Sequence, residues 1–195
     1  MDTTCKAIRT LQIAIALVAT LSLGGTLPRA AGRLIPGREG IMLLTPGTSR
    51  DALLEWAVKR YRAAGLLLPA VRVAFHPDTD GCRGNVGYQV NGLIDLCVRT
   101  AMESGPERIV LHELAHAWCD EHLTDAARMR FMQSRRITSW NGSAADWKRR
   151  GYEQAAEIIA WGLGDGMLHP VIDGANDPDS LTAGFRMLTS VDPLH

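Results

Sequence analysis

HELAHAWCDEH, residues 112–122, places three histidines, two glutamates and a cysteine within eleven positions. Histidines at i and i+4 lie one turn apart on the same helix face, close enough to share one metal ion. The residue after the first histidine is rotated about 100° round the helix, so Glu113 stands beside such an ion without ligating it. A carboxylate there can take a proton from metal-bound water and deliver it to a leaving amine. Val110, Leu111, Leu114, Ala117 and Trp118 project to the opposite side, giving the segment a core face and a metal face. With six histidines in the chain, HExxH is expected by chance roughly 0.007 times. It is therefore read as a zinc site, one Zn²⁺ ion held by His112 and His116, with Glu113 as general base.

A site of this kind takes a third protein ligand, and the sequence offers two regions for it. The spacing of His112, Glu113, His116 and His122 is similar to that of the metzincin zinc proteases, His-Glu-x-x-His-x-x-Gly-x-x-His. The glycine position is occupied here by Cys119. In a continued helix His122 would sit about 120° from His116, facing away from the ion. A glycine breaks the helix cheaply at that point because it tolerates positive φ, and cysteine does not.

The second region is EQAAE, Glu153 to Glu157, where two glutamates at i and i+4 share a helix face and Ala156 and Ala160 keep one side small. A carboxylate is a normal third zinc ligand, and another can accept the free ring N–H of a ligating histidine. HELAH followed by EQAAE resembles the gluzincin zinc peptidases, in which the third ligand lies on a later helix. Matched residue by residue, the resemblance implies Glu153 as ligand and Glu157 as the acceptor from a histidine. The order of preference for the third ligand is Glu153, then Glu157, then His122. LHELAHAW and YEQAAEIIAWGL together resemble small secreted metallopeptidase-like proteins of bacteria, over about residues 82 to 163.

The remaining chain is consistent with one extracytoplasmic domain. Lys6 and Arg9 precede the apolar run Leu11 to Leu23, a secretory pattern, so residues 1–31 are expected to be a signal peptide or an uncleaved N-terminal anchor. That anchor would be the only membrane contact. Residues 32–47, rich in Gly and Pro, read as a linker, and 48–195 as the zincin-like domain. Lys plus Arg and Asp plus Glu both number 21, and no basic face collects them, so no nucleic-acid partner is expected. Cys5 belongs to the leader. Cys82 and Cys97 flank two strand-like runs, VGYQV (86–90) and LIDLCV (93–98), joined by the hairpin dipeptide Asn91-Gly92. A Cys82–Cys97 disulfide is expected, with Cys119 left as the odd thiol.

Helices are expected from Thr48 or Ser49 to Gly65, from Ser104 as cap through Trp118, from Thr124 to about Gln133, and over 151–166. The last thirty residues have no clear periodicity. The fold expected is α+β and zincin-like, a small mixed sheet whose edge hairpin packs on the active-site helix, with a second helix supplying a metal ligand. The resemblance implies that a peptide or protein substrate lies along the strand before the zinc helix, Leu93 to Val98, by β-augmentation. Tyr152, Tyr88 and His169 are open as further donors. The implied activity is a secreted zinc metallopeptidase; the alternatives are a non-catalytic zincin-fold binding module or a metal-dependent amidase of cell-wall peptides.

Overall fold

Val71–His76 (VRVAFH) buries Val71, Val73 and Phe75 at alternate positions, which is what a strand inside a sheet requires. In the computed structural model, which describes residues 33–34, 40–45, 47–97, 105–142, 145–166 and 169–195, this strand is β3. It is the centre of a five-stranded sheet. The strands are β1 (Arg33–Leu34), β2 (Ile41–Leu43), β3, β4 (Gly87–Val90) and β5 (Leu93–Cys97), in spatial order β1-β2-β3-β5-β4. β2 and β5 run parallel to β3, while β1 and β4 are antiparallel to their neighbours. The protein is thus α+β, with helices covering a mixed sheet.

Two differences from the sequence reading concern this sheet. Residues 41–43, within the stretch expected to be a linker, form β2, because Ile41 and Leu43 insert into the core. The strand just before the metal helix, β5, is internal between β3 and β4. The edge on this side of the sheet is therefore β4, and a substrate strand cannot pair with Leu93 to Cys97. Asn91 (φ 49°) and Gly92 (φ 72°) both adopt the left-handed region, the requirement of a tight two-residue hairpin. The Cys82–Cys97 disulfide is present and ties β5 to the turn at Asp80–Cys82 that precedes β4. Closing a loop of 15 residues contributes about 3 kcal/mol in the chain-entropy account.

Helix α1 (Thr48–Ala63) buries Leu54, Ala57, Val58 and Tyr61, and the Tyr61 hydroxyl donates to the Leu111 carbonyl at 2.8 Å. Helix α2 (Pro106–His122) carries HELAH; the residue at its start is Gly105 (φ 79°), and the expected cap Ser104 lies outside the described residues. Helix α3 (Asp125–Arg135) is capped by the Thr124 hydroxyl, which accepts from the Ala127 amide at 3.2 Å. Helix α4 (Gly151–Leu163) carries EQAAE and is buried almost throughout. Helix α5 (Pro178–Thr189) falls in the region the sequence reading left unplaced. Residues 1–31, with Cys5 and the expected leader or anchor, lie outside the described residues, as does Val98. Among the described residues no helix is long and apolar enough to cross a membrane.

Candidate metal centre

The core face anticipated for α2 is real: Val110, Leu111, Leu114, Ala117 and Trp118 are all buried. With that face fixed on the core, His112 and His116 must turn toward α4. Ala156 and Ala160 are fully buried in α4. The cross-links between them pair 108 with 157, 112 with 157 and 153, and 116 with 153. Rising numbers on one helix meet falling numbers on the other, so α2 and α4 pack antiparallel.

One carboxylate oxygen closes the cluster. Glu153 Oε2 lies 3.2 Å from His112 Nε2 and 3.4 Å from His116 Nε2. One ligand atom from each of these three residues lies within 4.8 Å of the others, so the cluster could hold a metal ion. The histidine rings stand edge to face with centroids 4.6 Å apart. Glu157 lies on the far side of His112, with Oε1 3.0 Å from Nδ1. Its other contacts are the Arg108 guanidinium, which donates to both carboxylate oxygens, and the Val171 amide, which donates to Oε2 at 3.2 Å.

The charges agree with that arrangement. Burial disfavours the His112 imidazolium, but Glu153 and Glu157, aided by the charge of Glu113, outweigh it and push its pKa up to about 10. Burial works against the Glu153 carboxylate too, yet the two imidazoles hold it far below the usual carboxylate range. Glu157 is held low, against its burial, by His112 and Arg108. These directions all favour opposite charges on the histidine and the two glutamates that face it.

Glu113 is buried beside this cluster and is not one of its three members. Burial raises its pKa, reinforced by Glu153 and Glu157 and opposed by the two histidines. Its side chain rests on β4 at Gly87. A Cβ on Gly87 would stand 2.3 Å from Glu113 Oε1 and 2.7 Å from its Cγ, so only glycine admits the glutamate there. Tyr152 stacks on His116, with centroids 4.0 Å apart and planes 21° from parallel. Its hydroxyl lies 3.0 Å from Gln89 Oε1 and 3.1 Å from Asp120 Oδ2, and donates to one or the other. Gln89 sits on β4, so Tyr152 bridges the edge strand to the metal helices. The cleft between them, about 1040 Å³, is lined by β4, the His/Glu cluster, and Trp140 and Trp147.

His122 is not brought to the cluster. It ends α2 on another side, its Nε2 2.7 Å from the Leu67 carbonyl and its ring 5.1 Å from that of Trp118. The helix runs unbroken through Cys119, so position 122 stays rotated away, as the 100° step requires. Cys119 is a free thiol, fully buried in the hydrophobic core. Of the open donors, Tyr152 and Tyr88 both line the cleft, Tyr152 stacked on His116 and Tyr88 under Arg83 on the hairpin, and His169 is not part of the cluster; nor is His76. His76 instead bonds Asp95 at 2.7 Å. Gly87, Arg108 and the Val171 amide were missed by the sequence reading. A signal existed for Arg108 alone, which lies one helical turn before His112. No family model matches this chain, and no curated protein or solved structure matches it significantly.

Proposed function

We propose that the protein is an exported zinc metallopeptidase that binds an extended peptide along β4. The observation that carries this reading is the placement of Glu113: it is buried between two histidine ligands and an edge strand, next to a three-residue ligand set. Two imidazoles and one carboxylate match zinc, and three protein ligands are the pattern of catalytic rather than closed structural sites. Bound there, zinc would polarise a carbonyl and acidify a water. The chain's own residues supply the rest. Glu153 and the two histidines hold the ion. Glu113 takes the proton of the attacking water and returns it to the leaving nitrogen.

The substrate strand follows from hydrogen-bond register. The Cys97 amide donates to the Val86 carbonyl at 2.9 Å, and Val90 pairs with Leu93 across the two-residue turn. Bonded positions alternate in an antiparallel pair, so Gly87 and Gln89 direct their amides and carbonyls to the free edge. That edge borders the cleft and offers main-chain partners to a peptide. The Cys82–Cys97 disulfide supports an oxidising compartment, hence export.

The test is zinc content together with cleavage of a peptide library. Wild type should bind one zinc and cleave. Glu113→Gln should keep the zinc and lose activity by about 10²–10⁴-fold. Glu153→Ala should lose the metal, and His122→Ala should keep it. Zinc bound at full occupancy with no peptide cleaved would return the non-catalytic binding module, and cleavage confined to cell-wall peptides the amidase.

A further inference from the structure

Glu153 and Glu157 are two carboxylates one helical turn apart, both facing His112, and a metal ion could in principle recruit either. We infer that Arg108 decides between them: it is a positioning residue that reserves Glu157 for the Nδ1 side of His112 and leaves Glu153 as the metal ligand. This inference rests on the metal reading above.

The argument is a count of what each carboxylate oxygen already touches. Glu157 Oε2 receives Arg108 Nε at 3.2 Å and the Val171 amide at 3.2 Å. Glu157 Oε1 receives the Arg108 terminal nitrogen and lies 3.0 Å from His112 Nδ1. Both oxygens therefore already accept hydrogen bonds, Oε1 from the guanidinium and Oε2 from the guanidinium and a loop amide, while His112 Nδ1 lies close to Oε1 without the geometry of a hydrogen bond. The Glu157 side chain is only 1% exposed, which shields it from bulk solvent. Glu153 is different: among the described residues its Oε2 meets the two imidazole Nε2 atoms and no other donor, and these are the atoms that would face an ion. The fork geometry matters, since a planar guanidinium holds both oxygens of a carboxylate in one orientation and an ammonium does not.

Two consequences follow for His112. A carboxylate fixed beside Nδ1 would favour the tautomer with its proton on that nitrogen, which would leave the Nε2 lone pair free for an ion. The same carboxylate holds the ring plane. Arg108 itself lies on the helix of His112, one turn earlier, so it also locks the rotation of α2 against α4. Nothing in this requires Arg108 to touch metal or substrate.

The experiment measures zinc affinity by chelator competition, alongside the stability of the metal-free protein. Arg108→Met should weaken zinc about 10–100-fold, and Arg108→Lys should recover only part of that loss, because charge returns without the fork. Glu157→Gln should weaken zinc similarly. Because Arg108 acts through Glu157, the double variant Arg108→Met/Glu157→Gln should be no weaker than the worse single variant. Zinc affinity within twofold of wild type in Arg108→Met would overturn the inference. So would losses that multiply in the double variant, which would make the two residues independent. Should Arg108→Met not fold, Arg108→Lys carries the test, and unchanged affinity in it when paired with an affected Glu157→Gln overturns the role of the fork. A wild type that binds no zinc sinks the metal reading and this inference together, whereas equal affinities across the series sink this inference alone.

Discussion

Glu113 and Gly87 are packed so closely that one methyl group would displace the glutamate. The carboxylate occupies the space a Cβ on the strand would fill. Gly87→Ala must therefore rotate the glutamate, an easy motion for a side chain and a costly one for the proposed general base. We expect Gly87→Ala to leave zinc content and thermal stability near wild type and to lower kcat on the order of 100-fold. Steady-state kinetics alongside metal analysis checks this, and a loss of zinc instead would place Gly87 in the packing of the ligands. Cys119 makes the opposite case. Burial, with the nearby Asp120 charge, pushes its thiol well above the ordinary range, and it is packed in the core. It should resist iodoacetamide at pH 8 in the native protein and react fully in denaturant, as a mass shift would show.

At the level of elements, the site is divided between two supports that can be perturbed separately. The candidate metal ligands stand on α2 and α4, while the proposed substrate edge stands on the β4–β5 hairpin. The Cys82–Cys97 disulfide belongs to the second support. Replacing both cysteines with serine should cost about 3 kcal/mol in urea denaturation. It should raise KM for peptides more than it lowers zinc affinity, because the two helices keep their own packing. An equal loss in both would mean that the hairpin holds the metal helices in place. The hairpin was legible from Asn91-Gly92 and the flanking cysteines, since turn chemistry and loop closure are local. Its place in the sheet was not. That β5 is internal and β4 the edge depends on β3 pairing with β5 in parallel, across a stretch of chain no local pattern reports.

For the whole molecule, the C-terminal segment backs the metal helix. The Phe185 ring of α5 presses on Gly162 of α4, where a Cβ would stand 2.2 Å from it. The Leu194 amide donates to the Gly162 carbonyl at 2.8 Å, and the ring of His195 meets that of Trp161 at 4.7 Å. Phe185→Ala should destabilise the metal-free protein by about 3–5 kcal/mol. A zinc concentration of 100 times Kd should return about 2.7 kcal/mol, measurable as a shift in the denaturation midpoint. Absence of any zinc-dependent shift in the wild type would argue against the metal site. Helix α5 had signals that passed unread: Asp177 caps it, Pro178 opens it, and Leu181, Phe185 and Leu188 form its buried stripe. The sequence by itself determined the pieces whose logic is periodic or short-range: the two histidines and glutamate on one helix, the paired glutamates on another, the hairpin and its disulfide. Only the tertiary structure decided which glutamate meets both histidines, that His122 points elsewhere, which strand is the edge, and that Arg108 and Gly87 belong to the site. Those are questions of which surfaces meet, and they are answered by packing between segments distant in the chain rather than by any spacing within one of them.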